Sequence, residues 1–383
     1  MPELTYKDKL FHHKLAVIYR RAIIVAIVIA IALICKISYD NRVYTETKVV
    51  EKIKKMGTEN ATYEAYEGNI LIHSTDGISV YDAKGKQIWN KTYEMQNPIV
   101  QKNKEYVAVG DYKGNKIYIM NATGPTGEVE TNLPIMDLDV SAKGIVAATL
   151  QDDSVTWVKL FSAEGVEISD VKTTMKQSGY PLAVSISPDN VKLGISYLKA
   201  QSGEINTSIA FYNFGAVGQN ETDHLVSGKD FTNAMAPYLS FVDAQNAIAI
   251  CDQKLLYFKG KEKPSLANTV DLGKDVVGIY HDESYIGIVF HNTDSKEAFR
   301  LDVYDLSGNL KYSHIFDISY SDIIMNDGYV IIYNDSHVQI LGPTGRLKYD
   351  GDMGGGIVSL IPTSSKLKYL LVKGQKIEMV KLQ

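Results

Sequence analysis

From about residue 60 to the C-terminus, short apolar runs alternate with tight polar turns, and the pattern repeats every ~40 residues. The turns are rich in Gly, Asp, Asn and Ser, which accept positive φ or bond to their own backbone. One class of turn occurs at Ser74–Gly77, Asp111–Gly114, Gln151–Asp153, Ala200–Gly203, Cys251–Gln253, Asn292–Asp294, Asn334–Ser336 and Lys373–Gln375. Strand pairs at this spacing, with no helical pattern between them, predict an all-β fold, the β-propeller.

A second class of turn follows the first in every repeat except the last. These turns lie at Asp82–Gly85, Asn121–Gly124, Ser162–Gly165, Asn213–Gly215, Lys259–Lys261, Asp305–Gly308 and Gly342–Gly345. The final unit, Ile357–Leu382, therefore supplies three strands and lacks its outermost one. Because open sheet edges invite aggregation, we predict that the extended segment Tyr44–Lys54 pairs with this unit and closes an eight-bladed ring. Its lysines also suit a juxtamembrane helix or stalk, in which case the ring has seven blades and an irregular end.

The N-terminal region contains one long hydrophobic run. Residues 22–34 are wholly apolar, and the stretch to Tyr39 reaches the ~17 to 25 residues that span a bilayer. A cleaved signal peptide would need small residues after the run, and lipidation of Cys35 would need a small residue where Ile34 stands. We therefore predict an uncleaved membrane anchor, with Arg20, Arg21 and Lys36 flanking the membrane.

The charges beside the run predict its orientation. Five Lys or Arg lie in the 15 residues before residue 22 and three in the 15 from Lys36 onward, which favours a cytoplasmic N-terminus and an extracellular propeller. The predicted organisation is a cytoplasmic tail at 1–21, a transmembrane helix at 22–39, a juxtamembrane segment with the closing strand at 40–60, and the propeller at 61–383. The protein is thus expected in the cell membrane as a single-pass protein.

The charge balance bears on partners. Residues 1–36 carry +4 and the whole chain −5, so the remainder carries −9. Nucleic acid and anionic lipid surfaces both require concentrated positive charge, so we expect no nucleic-acid binding and a soluble domain that stands off the membrane. With only Cys35 and Cys251 present, a disulfide framework is excluded and packing must supply the stability.

A family resemblance adds to this picture. Tyr81–Trp89 and the following Asn90–Pro98 resemble PQQ-like and WD40-like propellers. More narrowly, these segments together with Ser178–Pro181, Ser208–Gly215 and Gly218–Asn220 resemble an uncharacterised family of membrane-anchored propellers from clostridial-type Gram-positive bacteria. The resemblance implies an anchor and an envelope-facing ring. It implies no activity, so no catalytic residue and no cofactor is assigned from it.

Motifs for chemistry are weak. Quinone-dependent propeller enzymes have recurring tryptophans, whereas this chain has only Trp89 and Trp157, and no H-E-x-x-H or C-x-x-C zinc motif occurs. Asp137 and Asp139 share a strand face and form a candidate acid pair, although Asp is a common anchor of blade turns. The scattered histidines, expected to be hydrogen-bonded polar side chains rather than metal ligands, are His73, His281, His291, His314 and His337.

The fourth repeat has the longest second turn, Asn213–Asn220. Loops longer than the repeat requires often carry recognition, so Asn213, Phe214, Gln219 and Asn220 are the candidate partner-binding residues.

Three hypotheses for function remain. The first is a non-enzymatic envelope protein whose ring binds or scaffolds an unidentified envelope protein or wall polymer. The second is an enzyme acting on envelope polysaccharide or a redox cofactor, which requires two or more carboxylates or a histidine from different blades in one axial pocket. The third is a ligand sensor, which needs a membrane partner because about 21 cytoplasmic residues cannot form a signalling domain.

Overall fold

The computed structural model describes residues 6–58, 60–151, 155–174, 178–201, 203–293 and 296–383. Within them, one long helix, α1 (Tyr6–Asp40), precedes β1 (Thr47–Lys54) and a succession of short strands. The next sixteen strands are β2 Thr62–Tyr66, β3 Asn69–Ser74, β4 Gly77–Tyr81, β5 Gln87–Thr92, β6 Pro98–Asn103, β7 Tyr106–Asp111, β8 Lys116–Asn121, β9 Gly124–Glu130, β10 Ile135–Val140, β11 Val146–Gln151, β12 Val155–Phe161, β13 Glu167–Thr174, β14 Tyr180–Ile186, β15 Lys192–Gln201, β16 Glu204–Asn213 and β17 Leu225–Phe231.

The C-terminal half continues the pattern. Its strands are β18 Tyr238–Phe241, β19 Asn246–Cys251, β20 Lys254–Lys259, β21 Ser265–Asp271, β22 Val276–His281, β23 Tyr285–His291, β24 Phe299–Asp305, β25 Leu310–Phe316, β26 Asp322–Asn326, β27 Tyr329–Tyr333, β28 His337–Leu341, β29 Leu347–Asp352, β30 Ile357–Pro362, β31 Lys368–Lys373 and β32 Lys376–Leu382. Two short 3-10 turns, Gly218–Asn220 and Thr222–His224, lie between β16 and β17.

The strands form eight antiparallel four-stranded sheets, which are the blades of a propeller. Blades 1 to 7 each take four consecutive strands, from β2–β5 to β26–β29, and blade 8 has the order β1-β32-β31-β30. Strand β1 pairs with β32 from Thr47 opposite Leu382 to Lys54 opposite Lys376. The eight-bladed ring and its N-terminal closing strand are therefore confirmed, and the seven-bladed alternative is wrong.

Hydrophobic side chains fill the spaces between neighbouring blades. Leu71 and Val80 of blade 1 pack with Val107 and Val109 of blade 2, for example, and all four are fully buried. The closing joint follows the same rule, because the buried apolar residues of blades 8 and 1 form one cluster. Middle strands are apolar on both faces because each lies between two neighbouring blades, and burying this surface is the main stabilising term.

Every blade ends in an irregular edge. Near the start of each outermost strand, one residue is unpaired in a β-bulge, for example Ile88 in blade 1 and Lys311 in blade 6. The same irregularity occurs in blades 2, 3, 4, 5 and 7 and, in β1, between Val49 and Glu51 of blade 8. A bulge twists the edge away from a flat template, which protects an exposed edge from pairing with another chain.

The alternating strand directions give the ring two distinct faces. The first class of predicted turn, between the second and third strands of a blade, lies on what we call the distal face. The second class, between the third and fourth strands, lies on the opposite face together with the turns that follow the innermost strands. Because β1 is antiparallel to β32, β1 starts on this opposite face. We call this face the helix-side face, since α1 leaves the ring from it. Of the predicted turn residues, Asp152, Asp153, Ser202 and Asp294 lie outside the described residues.

Helix α1 contains a candidate membrane span, Val17–Lys36, whose side chains make no buried contact with the ring. Twenty helical residues are about 30 Å long, which matches the hydrocarbon core of a bilayer. Lys36 ends this window, and Arg20 and Arg21 lie one turn inside its start. By length and composition a signal sequence meets the same test. Residues 1–5 of the predicted cytoplasmic tail lie outside the described residues.

The short connection between α1 and β1 is fixed to the ring. The backbone N–H of Tyr44 donates to the carbonyl of Lys348 at 2.7 Å, and the Tyr44 side chain is buried in the cluster shared by blades 7 and 8. Arg346 of blade 7 donates to the side-chain oxygen of Asn41. Thr45 donates to the carbonyl of Gln383, the last residue of the chain. The helix is thus joined to the ring without a free linker.

Candidate functional sites at the axis and on the blade 4 loop

The innermost strands surround an axial channel that contains two cavities. A cavity of about 660 Å³ opens on the helix-side face among the turns that follow the inner strands of blades 1 to 6. A second, of about 720 Å³, lies among the inner strands of blades 1, 6, 7 and 8. We call them the helix-side lobe and the inner lobe. Ala65, Lys102 and His281 line both, so the lobes meet between blades 2 and 6, which are opposite each other in the ring.

Glu64, on β2, is the best-partnered carboxylate of the inner lobe. His73 Nε2 lies 3.1 Å from its Oε1, and the Lys102 ammonium donates to Oε2 and, at 3.0 Å, to the carbonyl of Ala65. Burial acts to raise the pKa of Glu64, but the hydrogen bond from His73 and the charge of Lys102 outweigh it and lower the pKa to about 2. Glu64 is therefore ionised at any physiological pH.

Asp322, on β26, is a second carboxylate in the same lobe. Its Oδ1 accepts the N–H of Ile323 at 2.8 Å. Asp322 is exposed to solvent and lines the cavity. Partial desolvation by the surrounding protein nevertheless raises its pKa; the Ile323 N–H opposes the rise and the negative charge of Glu64 adds to it. Two carboxylates whose pKa values are displaced in opposite directions thus line one cavity.

His281 ends β22 at the junction of the lobes. Its Nε2 lies 3.3 Å from Ser240 Oγ on the inner strand of blade 5. Burial lowers the pKa of His281, against the effect of the neighbouring Asp282. A neutral imidazole is therefore favoured in the cavity that Glu64 and Asp322 also line. Carboxylates and a histidine from blades 1, 6 and 7 meet at one pocket, which is the arrangement that the enzyme hypothesis requires.

Asp137 and Asp139 lie on β10, the inner strand of blade 3. Asp139 accepts the N–H groups of Val140 and Ile186, each at 2.8 Å, and Ile186 belongs to blade 4. Burial raises the pKa of both aspartates to about 6. The carboxylate of Asp139 thus ties two neighbouring blades together, as expected for a blade anchor, although it also lines the helix-side lobe.

An ion pair crosses the mouth of the helix-side lobe. Lys104 follows the inner strand of blade 2, Glu283 follows that of blade 6, and the Lys104 ammonium lies 3.3 Å from Glu283 Oε1. Both side chains are more than half exposed, so the pair contributes little to stability. Its position matters more than its energy, because it lies between opposite blades and over the entrance.

The four other histidines of the sequence prediction have ordinary partners. His73 contacts Glu64, His314 contacts Gln339 at 3.1 Å and His337 contacts Asp350 at 2.6 Å. The ring of His291 packs on Phe299 with 5.5 Å between centroids. Among the residues that the structure describes, no group of three or more His, Cys, Asp or Glu is placed to hold a metal ion.

The blade 4 loop lies on the helix-side face, across the ring from blade 8. Asn213 and Phe214 form its base: Asn213 is fully buried and its amide donates to the carbonyl of Glu262 at 2.9 Å, while the Phe214 ring lies 5.2 Å from that of His224. Gln219 and Asn220 are exposed at its tip. The four predicted partner-binding residues therefore divide into two that fix the loop and two that face solvent.

The loop is held in an unusual conformation. Glu221 accepts a hydrogen bond from Lys263 of blade 5 at 2.5 Å. Asp223 and His224 both have positive φ, 54° and 61°, a region that non-glycine residues seldom occupy. His224 Nδ1 is buried without a hydrogen-bond partner. Such strain and lost hydrogen bonding are often found where a loop is shaped for binding.

Sequence reasoning did not identify Glu64, Lys102 or Asp322 as site residues. Each is a charged residue on a short inner strand, β2, β6 or β26, and the three strands are far apart in the sequence. A charged residue within an inner strand is the available signal, because that strand faces the channel rather than a neighbouring blade. The signal requires the strands to be assigned to their positions in the blade first.

Solved structures with the same architecture are similar to the chain. BamB from Moraxella catarrhalis is 12% identical with a TM-score of 0.53, covering 88% of this chain and 100% of its own. A eukaryotic initiation factor is 10% identical with a TM-score of 0.55, covering 85% of this chain and 83% of its own. Apo AztD from Citrobacter koseri is 10% identical with a TM-score of 0.53, covering 79% of this chain and 88% of its own. At such identities the likeness shows the fold alone.

The expected resemblance to propeller repeats is confirmed at that level. No curated protein matches the chain by sequence. The profile of one family, however, matches residues 40–382, from the end of α1 to the end of β32. The chain therefore belongs to DUF5711, a family of unknown function.

Proposed function

We propose that this protein is a single-pass membrane-anchored propeller of a Gram-positive cell envelope, which binds an envelope protein or wall polymer without acting on it chemically. Residues 1–21 form the cytoplasmic tail, 22–39 the transmembrane helix, 40–60 the juxtamembrane segment and 61–383 the extracellular ring. Arg20, Arg21 and Lys36 flank the membrane. The observation that supports the proposal is the hydrogen-bonded joint at Tyr44, which connects an exposed apolar helix directly to the strand that closes the ring.

The anchor and its orientation are tested in cells. The full chain is expected to stay in the membrane pellet after carbonate extraction, at its uncleaved size. Ile315, exposed near the distal face, gives a reporter position: in a chain that also carries Cys35→Ala, Ile315→Cys should react with a membrane-impermeant maleimide in intact cells. A shorter, carbonate-soluble product would show a cleaved signal peptide, and labelling only after lysis would reverse the topology.

Within this function, Gln219 and Asn220 are the proposed contact positions, supported by Asn213 and Phe214 beneath them. The test is site-specific photo-crosslinking from position 219 in intact cells, with position 204 as the matched control. Glu204 is also exposed and also lies on blade 4, but on the distal face. We expect one adduct from position 219, identified by mass spectrometry and recovered reciprocally when the partner is tagged. Equal adducts from both positions, or none from 219, would refute this contact surface.

A second function, catalysis at the axis, is favoured by one observation. Glu64, Asp322 and His281 line a cavity large enough for a small ligand, and the displaced pKa values of the two carboxylates suit an acid and base pair acting on a polysaccharide or a redox cofactor. The test is turnover of purified wall glycan by the wild type and by Glu64→Gln and Asp322→Asn. Turnover lost in these variants, and kept in Glu204→Gln, would favour the enzyme over the binding protein.

A further inference from the structure

We propose that one sector of the helix-side face, the rim formed by blades 6, 7 and 1 around the exit of α1, rests on the surface of the lipid bilayer. We call this sector the anchor-side rim. The proposal rests on the proposed function, because it requires α1 to span that bilayer. It goes beyond the anchor itself by assigning a membrane-contacting surface to the propeller.

The reach of the connection brings this rim to the membrane. From Lys36, at the end of the apolar span, four helical residues to Asp40 rise about 6 Å. From Asp40 to Tyr44, which is buried in the ring, four residues extend at most about 14 Å. The interfacial layer of a bilayer is itself about 5 to 7 Å thick on each side. The ring therefore begins close to the headgroups, on the face from which the helix leaves.

The anchor-side rim exposes apolar side chains. Val43, next to the buried Tyr44, is 51% exposed. Ile88, the bulge residue of blade 1, is 46% exposed, and Leu310, the first residue of the outermost strand of blade 6, is 49% exposed. Each lies at the helix-side end of its blade. Inserting such apolar side chains among headgroups and acyl chains buries apolar surface and is favourable in free energy when a neighbouring transmembrane helix already holds them at the interface.

Basic side chains surround these apolar ones. The exposed cations of the anchor-side rim are Arg42, Lys84, Lys86, Lys311 and Arg346. The same rim also carries acids that keep their charge: Asp82 and Asp305, which accept backbone N–H groups, and the exposed Glu46, so the basic side chains outnumber the acidic ones without standing alone. Long basic side chains beside exposed apolar residues suit an interface that carries anionic headgroups.

The far side of the same face differs in charge. Blades 3 and 4 present Glu164, Asp223 and Glu221 there, the last of them paired with Lys263 of blade 5. The net charge of −9 beyond residue 36 led us to expect a domain that stands off the membrane. That expectation treats the charge as uniform, whereas the positive part lies beside the anchor. The ring is therefore tilted, with blades 6, 7 and 1 on the lipid and the blade 4 loop raised above it, open to a partner that lies close to the membrane.

The test measures contact with lipid directly, using the full chain in liposomes. Cys35→Ala removes the exposed native thiol, and Cys251 is 2% exposed and should not be labelled. In this background Leu310→Cys and Ile315→Cys carry a bimane label. These positions form a matched pair, since both lie on β25 and are 49% and 47% exposed, but they face opposite ends of the ring. They are about 17 Å apart along the strand.

Brominated phospholipids quench bimane only on contact. With phosphatidylglycerol as the anionic lipid, we expect quenching at position 310 to exceed that at position 315 several-fold, because only position 310 is at the lipid surface. Equal quenching at the two positions, or none at 310, would overturn the proposal. Protection of position 310 in native membranes but not in liposomes would show that a protein, not lipid, covers the rim.

The charge of the rim has its own matched variants. Lys84→Glu with Lys86→Glu should reduce quenching at position 310 in anionic liposomes, whereas Lys113→Glu with Lys116→Glu, on the distal face of blade 2, should leave it unchanged. An equal effect of both pairs would contradict a rim-specific contact. Carbonate extraction of every variant separates the two levels of inference: loss of the chain from the membrane refutes the anchor, while a retained chain without quenching refutes only the rim.

Discussion

Replacing Tyr44 by alanine should loosen both the closure of the ring and its connection to the helix. Tyr44 is 7% exposed and packs in the cluster formed by blades 7 and 8, close to Tyr349. Truncating a buried aromatic side chain costs about 3 to 5 kcal/mol. For a propeller of about 340 residues, an unfolding entropy of about 2.1 cal/mol/K per residue gives roughly 0.7 kcal/mol/K, so Tm should fall by about 4 to 7 °C.

The assay is thermal unfolding of the full chain in detergent, followed by near-UV circular dichroism, with hydrogen exchange at 25 °C as a local readout. The amides of β1 and β32 should exchange faster in Tyr44→Ala, since the side chain holds β1 at the start of their ladder. Val43→Ala is the matched control, because Val43 is adjacent and 51% exposed, and its Tm should change by less than about 1 °C. Equal melting of Tyr44→Ala and the wild type would refute the view that this residue clamps the ring.

Three further predictions concern the axis and the blade 4 loop. The pKa of Glu64 is lowered from 4.5 to about 2, so its ionised form should stabilise the fold by about 1 to 2 kcal/mol, reduced by partial exposure, above pH 4.5, and this contribution should disappear as the pH falls towards 2. In urea unfolding, the difference in unfolding free energy between the wild type and Glu64→Gln should therefore shrink in acid. A difference that does not depend on pH would contradict the assignment. Asp139→Ala leaves the N–H groups of Val140 and Ile186 without acceptors and should lower the unfolding free energy measured in urea by about 2 to 4 kcal/mol. Asp170→Ala, at an exposed position, should be nearly neutral. Similar values for the two variants would argue against a hydrogen-bonded link between the blades. Gly218→Ala would place a Cβ 1.6 Å from the carbonyl oxygen of Asn213, so the blade 4 loop of this variant should be displaced and cleaved by a protease. Gly374→Ala, where nothing lies within 4 Å, should not be cleaved there. A blade 4 loop that stays uncleaved in both variants would show that the base of the loop can accommodate the added methyl group.

The sequence by itself determined the repeating part of this protein. Turn chemistry acts over a few residues, so Asp305–Gly308 or Ser74–Gly77 can be recognised wherever they occur, and counting the two classes was enough to predict that Tyr44–Lys54 must supply the missing strand. The apolar run is likewise a local property, readable from composition and length. Only the tertiary structure brought Glu64, Lys102 and Asp322 together, because the strands that carry them belong to blades 1, 2 and 7 and meet only around the axis. Only the structure, too, placed the blade 4 loop and the end of α1 on one face, since strand direction and ring closure, rather than any local pattern, decide which turns share a side.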